Sequence, residues 1–218
     1  MSAREARIVT PSLLQLDAEK ETVAKVKPVL GDMTTPRLRL RLWQVSDAEP
    51  FAAMNADPRV REHYPSVLTR EESDASVARI RAHFEKHGFG AWAVELRERP
   101  GFIGFAGLTR PAFSAPCGPC VEIGWRFAFD HWGQGYATEA ARVALRAGFL
   151  EVGLDEVVSF TTVNNLRSRR VMEKLGLSHD PADDFDHPLL PPGHRLARHV
   201  LYRLRRTDWL RLTEEPAI

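Results

Sequence analysis

Leu38, Leu40 and Leu42 alternate with Arg37, Arg39 and Arg41, the period of two that marks a strand with one buried face. Ser46 is placed to cap a helix running through Phe51 to Met54, and Pro58 ends that element or begins another. Thr69 opens a longer helix reaching about His87; Glu72 completes a capping box three residues on, and Gly88 closes the helix. Strands follow at Ala91 to Leu96, Phe102 to Thr109 and Val121 to Phe129, separated by turns rich in Pro and Gly. A helical pattern covers Ala140 to Leu150, a strand Val157 to Thr161, and a second helix Asn165 to Leu175. Strands near Leu177 to His179 and Ala197 to Leu204 complete the pattern. A strand–helix–strand passage inside a run of antiparallel strands implies one parallel pair, hence a mixed α/β (α+β) domain with helices on both faces.

The first of those helices follows a glycine-rich turn, Trp132-Gly133-Gln134-Gly135-Tyr136-Ala137-Thr138-Glu139. Backbone N–H groups at a helix start lack intrahelical acceptors, and the helix dipole adds positive potential there, so the turn is a ready anion site. A P-loop is excluded because no Lys-Ser or Lys-Thr pair follows the glycines. A dinucleotide fingerprint fits poorly: Thr138 stands where Gly or Ala is wanted, and Asp155 has the right spacing but opens the next strand instead of ending it. A tight turn without a ligand is the bland alternative. In the next helix Ser168, Val171, Met172 and Leu175 share one face, with Arg167, Arg170 and Lys174 opposite. Ser168 then needs a partner, either a carbonyl one turn earlier or a ligand. Gly176 suits a left-handed helix end with Leu177 folding back on Met172, and Asn165 is a plain N-cap.

Gly-Gln-Gly-Tyr-Ala-Thr-Glu-Ala after Glu122-Ile123-Gly124-Trp125 resembles the acetyl-CoA loop of the GNAT acetyltransferase superfamily, most closely the branch of ribosomal-protein N-terminal acetyltransferases. That loop reads Gln/Arg-x-x-Gly-x-Gly/Ala in the family; Trp132 departs from its first position and the rest matches. Asn165-Leu166-Arg167-Ser168 with Val171 to Leu177, and the opening Arg37 to Arg41, match further family segments, so the resemblance covers about residues 34 to 210. It implies a GNAT fold with its parallel strand pair at the acetyl-CoA site. It also implies cofactor contacts from Gln134, Gly135, Tyr136, Ala137 and Thr138, from the strand backbone at Trp125 and Phe127, and from the Asn165 side chain. Ser168 is implied as proton donor to the leaving sulfur and Glu122 as the base that deprotonates the amine. Trp125 and Phe127 are expected to bring apolar surroundings that raise the Glu122 pKa.

The implied activity is transfer of acetyl from acetyl-CoA to a primary amine, of a protein or peptide N-terminus or a small molecule, by direct attack in a ternary complex. An acyltransferase using another acyl-CoA or a hydroxyl acceptor is the alternative enzyme, and a non-catalytic acyl-CoA sensor the alternative outside enzymes. The acceptor pocket is expected from the His63-Tyr64 loop and the segment Asp180 to His194, where Asp183, Asp184 and Asp186 form an acidic rim attractive to a cationic amine.

Composition narrows the partners. A formal charge of +1 over 218 residues gives no reason to expect a nucleic acid or a membrane surface, leaving a monomer or homodimer with small-molecule or peptide partners. No apolar run approaches the roughly 18 residues of a membrane span, and no signal peptide is visible, so a cytoplasmic protein is the default. Cys117 and Cys120 lack the second pair that a zinc site needs and are read as a loop pair with at most a local disulfide; no metal is expected. Residues 1–33 read as an N-terminal extension, a short helix or mobile tail, 34–210 as the catalytic domain, and 211–218 as a tail.

Overall fold

Leu38 and Leu40 are fully buried and Arg39 is exposed, as the alternation requires, but the pattern reverses at its end: Arg41 is buried and Leu42 lies out in solvent. The computed structural model, which describes residues 30–214, supplies the reason. Strand β2 (Leu38–Arg41) stops there, and the Arg41 guanidinium turns into the protein, donating two hydrogen bonds to Asp47 at 2.7 and 2.8 Å and one to Glu95 at 2.7 Å. Asp47 also accepts the Gln44 N–H at 2.8 Å, so Asp47, and not Ser46, organises the turn into helix α1 (Ala48–Ala56). Helix α2 (Arg70–His87) has the expected capping box between Thr69 and Glu72 and ends on Gly88 at φ 76°.

Among the described residues nine strands form one sheet: β1 (Met33–Thr34), β2, β3 (Ala91–Leu96), β4 (Phe102–Thr109), β5 (Glu122–Phe127), β6 (Glu156–Thr162), β7 (Ser178–His179), β8 (Phe185–Asp186) and β9 (Arg198–Arg205). The order is β1-β2-β3-β4-β5-β6-β9-β7, with β8 also on β9. All neighbours are antiparallel except β5 and β6, which are parallel and in register at Glu122 and Val158. Helices α3 (Tyr136–Ala147) and α4 (Leu166–Lys174) precede and follow β6, and α5 (Arg206–Glu214) closes the described chain. α1 packs on β4 and α2, and α3 on β2, β4 and β5, so both faces of the sheet are covered. The main core gathers Leu38, Leu40, Trp92, Val94, Leu108, Ile123, Leu145 and Phe149. A smaller cluster of Val158, Phe185 and Leu201 lies beyond β6, with Phe113, Phe160, Cys117 and Cys120 packed on it.

Several boundaries differ from the periodicity. α3 begins at Tyr136, four residues before the apolar pattern, and ends at Ala147, where a wider π turn over Gly148–Val152 takes over. β1, β8 and α5 were not expected. Leu30 donates its N–H to the Gly88 carbonyl and Met33 pairs with Leu40, so the end of the expected extension contacts the sheet and α2; the remainder of it, residues 1–29, lies outside the described residues. α5 crosses the expected end at 210: Arg206 N–H bonds Asp155, and Trp209 packs its ring 5.3 Å from Phe149. Among the described residues no helix is long and apolar enough to cross a membrane.

Candidate functional site

The glycine-rich turn folds into a cradle. Gly133 and Gly135 sit at φ 73° and 79°, in the left-handed region that side chains with a Cβ rarely adopt. A Cβ on Gly133 would meet nothing within 4 Å, so the missing side chain leaves open space over the backbone. Gly135 is the N-cap of α3, and the first helical bond runs from Glu139 N–H to Gly135 O. The N–H groups of Tyr136, Ala137 and Thr138 therefore have no acceptor among the described residues and point out of the helix start.

This cradle is held from far away in the chain. Arg37 donates from Nε to Glu139 at 2.7 Å and from Nη1 to the Gln134 carbonyl at 3.0 Å, and its guanidinium lies 4.8 Å from the Tyr136 ring centre. Thr35 also donates to Glu139. Burial would raise the Glu139 carboxyl, but the hydrogen bonds from Thr35 and Arg37 outweigh it and hold the group below its ordinary range. Trp132, the departure from the family motif, donates from Nε1 to the Phe127 carbonyl at 2.8 Å and carries the Arg167 guanidinium on its ring face.

Two cavities meet at this point. One, of about 330 Å³, is lined by Gly133, Gly135, Tyr136, Ala137 and Thr138 on one side and by α4 on the other, with Arg170 and Lys174 among its cations. Trp125, Phe127 and Asn165 line it as well; Gln134 does not, since its contribution is the carbonyl that Arg37 grips. The Phe127 side chain is buried in the core, which leaves only its backbone for a ligand. The other cavity, of about 560 Å³, holds Glu122, His187, His199, Phe113 and Phe160. Trp125, Arg126, Asn165, Ser168, His63 and Tyr64 line both.

Between them the sheet opens. β5 and β6 are registered only at Glu122 and Val158, with Val158 N–H bonded to Val121 O and the Ser159 hydroxyl donating to Ile123 O at 2.9 Å. By the alternation of strand hydrogen bonding, the N–H and C=O of Trp125 then face the gap. Asn165 caps α4 by accepting Ser168 N–H at 3.3 Å, while its amide donates to Thr161 at 2.8 Å. The helix ends as expected: Leu177 N–H bonds Met172 O at 3.1 Å and Gly176 N–H bonds Glu173 O at 3.0 Å, around Gly176 at φ 85°. Of the two alternatives for Ser168, the back-bond to a carbonyl is absent among the described residues. Its hydroxyl has no partner among the described residues and sits where the cavities join.

Glu122 sits on the wall of the larger cavity with no hydrogen bond or ion pair to its carboxylate among the described residues, and burial pushes its pKa up to about 8. The cause differs from the expectation. Strand alternation puts Trp125 and Phe127 on the opposite face, toward the main core, whereas Glu122 shares its face with its pair partner Val158 and the smaller cluster of Phe113, Phe160 and Phe185. The acidic rim is likewise corrected. Asp183 is paired with Arg203 at 2.6 Å and Asp184 with His179 at 2.8 Å; Asp186 lies 3.7 Å from Arg198, and none of the three lines either cavity. From that segment only His187, Leu189 and Leu190 reach the larger cavity, joined by His63 and Tyr64 from the loop after α1. Cys117 and Cys120 are free thiols with their sulfurs 3.2 Å apart.

A parallel pair registered at a single position thus lies beside a helix start whose first N–H groups have no acceptor among the described residues. The acetyltransferase (GNAT) domain family matches residues 37–178, and the chain belongs to that family of N-acetyltransferases. It is 30% identical over 148 residues to the uncharacterized protein YkkB of Bacillus subtilis, covering 67% of this chain and 85% of that one. The acetyltransferase of Agrobacterium tumefaciens superposes with a TM-score of 0.66 at 25% identity, over 81% of this chain and 95% of that chain. The ribosomal-protein-S5-alanine acetyltransferase of Vibrio fischeri shares the fold, with a TM-score of 0.62 at 18% identity over 82% of this chain and 98% of that chain.

Sequence reasoning passed over two contributors. Arg37 looked like the exposed half of an alternating strand. Arg126 went unremarked, although an arginine in Glu122-Ile123-Gly124-Trp125-Arg126-Phe127 shares parity, and so a face, with Glu122.

Proposed function

We propose that this enzyme transfers the acetyl group of acetyl-CoA to a primary amine bound in the larger cavity, by direct attack in a ternary complex. The observation that carries this reading is the junction: Ser168 and Trp125 line both cavities, the glycine cradle only the smaller one and Glu122 only the larger. The free N–H groups of Tyr136, Ala137 and Thr138 suit a pyrophosphate, with Arg170 and Lys174 nearby, and the backbone of Trp125 suits the amide-bearing arm that leads to the thioester. Acetyl-CoA supplies the acyl carbon as a thioester, so a C–N bond forms while a C–S bond breaks. Glu122 takes the proton the amine loses. A carboxylate with a pKa of about 8 is well matched to an α-amino group, whose own pKa is about 8, and poorly to a lysine amine near 10.4. Ser168 donates toward the departing sulfur; with a thiol pKa of about 8.5, a single hydrogen bond is adequate help.

The test is release of CoA thiol that depends on an added amine. In that assay Ser168→Ala is expected to lower kcat about tenfold or more while leaving acetyl-CoA affinity unchanged. An unaltered kcat removes Ser168 from the chemistry, and thiol release indifferent to every amine removes the transferase reading.

Binding has its own test. Gly135→Val forces a β-branched residue to φ 79°, a strain of about 1–3 kcal/mol, and places methyl groups beside the cradle amides. Calorimetry is expected to show acetyl-CoA binding lost in a variant that still unfolds cooperatively; binding retained within threefold would put the cofactor elsewhere.

A further inference from the structure

The larger cavity has a charge imbalance that its aromatic walls make costly. Its charged side chains are Arg110, Arg126 and Glu122. Glu122, with a pKa of about 8, is mostly neutral at pH 7, and burial lowers the pKa of His63, His187 and His199, so these rings are neutral too. Two guanidiniums then face the cavity with no full negative charge to answer them.

Arg126 is the built one of the two. It lies on the same face of β5 as Glu122. Its Nη1 donates to the Asn55 side-chain oxygen at 2.8 Å, and Asn55, completely buried on α1, is itself fixed by donating to the buried Ser73 hydroxyl at 2.9 Å. The guanidinium carbon sits 4.2 Å from the Tyr64 ring centre and 5.3 Å from that of Phe105. Arg61 occupies the Tyr64 ring as well, at 4.1 Å, and burial together with the charge of Arg126 pushes its pKa down to about 10. Among the described residues neither arginine has a carboxylate partner. The buried Arg126 Nε has no acceptor, and Nη2 has none among the described residues. An arginine held by a two-step buried relay and two aromatic rings, yet left without its counter-ion, is preorganised for an anion brought by a ligand.

We propose that Arg126 recognises a carboxylate on the acceptor, so that the amine this enzyme acetylates belongs to an amino acid or short peptide with a free carboxyl group. This rests on the acetyl-transfer reading above and specifies its acceptor. It reverses the sign expected from Asp183, Asp184 and Asp186: those carboxylates are turned away from the cavity, and the cavity itself attracts negative charge. Asn55 and Ser73 act as positioning residues for the guanidinium.

The experiment pairs each of a set of amino acids and dipeptides with its own C-terminal carboxamide and measures CoA-thiol release at saturating acetyl-CoA. The free acids are expected to exceed their amides at least tenfold in kcat/KM. Arg126→Gln should erase that preference through acceptor KM, Arg126→Lys should keep part of it, and acetyl-CoA affinity by calorimetry should stay within threefold in both. Calorimetric binding also certifies that the variants are folded. Amides used as well as acids would overturn the carboxylate assignment and leave acetyl transfer standing. A rise in acetyl-CoA dissociation constant in Arg126→Gln would overturn it by giving Arg126 to the cofactor phosphates. Acetyl-CoA binding with turnover of no amine, acid or amide, would overturn the transferase reading and this proposal with it.

Discussion

Glu122→Gln is expected to lower kcat/KM about 10²- to 10³-fold at neutral pH and to remove the enzyme's own contribution to the acid limb of the pH–rate profile. In the native enzyme the base works ionised, so rates should climb with pH and level off above about 8, the value to which burial pushes this carboxyl. In the variant only the amine's own ionisation should remain. A second readout needs no substrate. The folded pKa of about 8 stands above the ordinary 4.5, so between those values the folded state holds a proton that the unfolded chain has lost. The stability this group contributes is then fully present below pH 4.5, declines as pH rises from there towards 8, and is gone above it. Glu122→Gln should abolish this fall, which denaturant unfolding at pH 5 and pH 9 would reveal. A variant as pH-sensitive as the native protein in both measurements would mean that Glu122 is solvated and idle.

Arg41→Ala should produce the largest loss of stability. The side chains of Arg41, Asp47 and Glu95 are exposed to only 4%, 2% and 8%, and the arginine is the common partner of both carboxylates. Removing it leaves buried Asp47 with no cationic partner among the described residues and Glu95 with only the half-exposed Arg39 at 3.3 Å, a loss of about 3–5 kcal/mol. In a domain of this size that corresponds to a fall in Tm of roughly 10 °C. Arg41→Lys should fall between, because an ammonium keeps the charge but loses the fork that grips Asp47 with two nitrogens. Thermal unfolding checks both; a loss under about 1 kcal/mol in Arg41→Ala would show that water reaches the pair.

What could be read from the chain alone divides along a physical line. Features set by neighbours in sequence came through. The Thr69–Glu72 capping box and the Gly176 helix end depend on contacts within about five residues, and the bounds of β3 and β4 are marked by the Pro and Gly turns that flank them. Features that need a distant partner did not. Arg41 alternates like Arg39 but is buried, because Asp47 and Glu95 await it in the fold. α3 starts before its apolar stripe because its first turn faces the cleft rather than the core. Ser168 was placed on an apolar face, correctly by count, yet the spacing could not tell that this face opens onto a junction of cavities. The three aspartates near Phe185 carry charge that is legible in sequence, but the partners Arg203 and His179 that two of them meet are legible only in space.

The grip of Arg37 on Glu139 and on the Gln134 carbonyl joins residues 102 and 97 positions apart. The eight-residue motif is therefore half of a device whose other half is translated about a hundred residues earlier. Transplanted without its distant clasp, the loop would carry every glycine and still be slack. In a newly made chain, for the same reason, the loop has no clasp until the segment carrying Arg37 has docked, which ties its shape to one long-range closure of the fold.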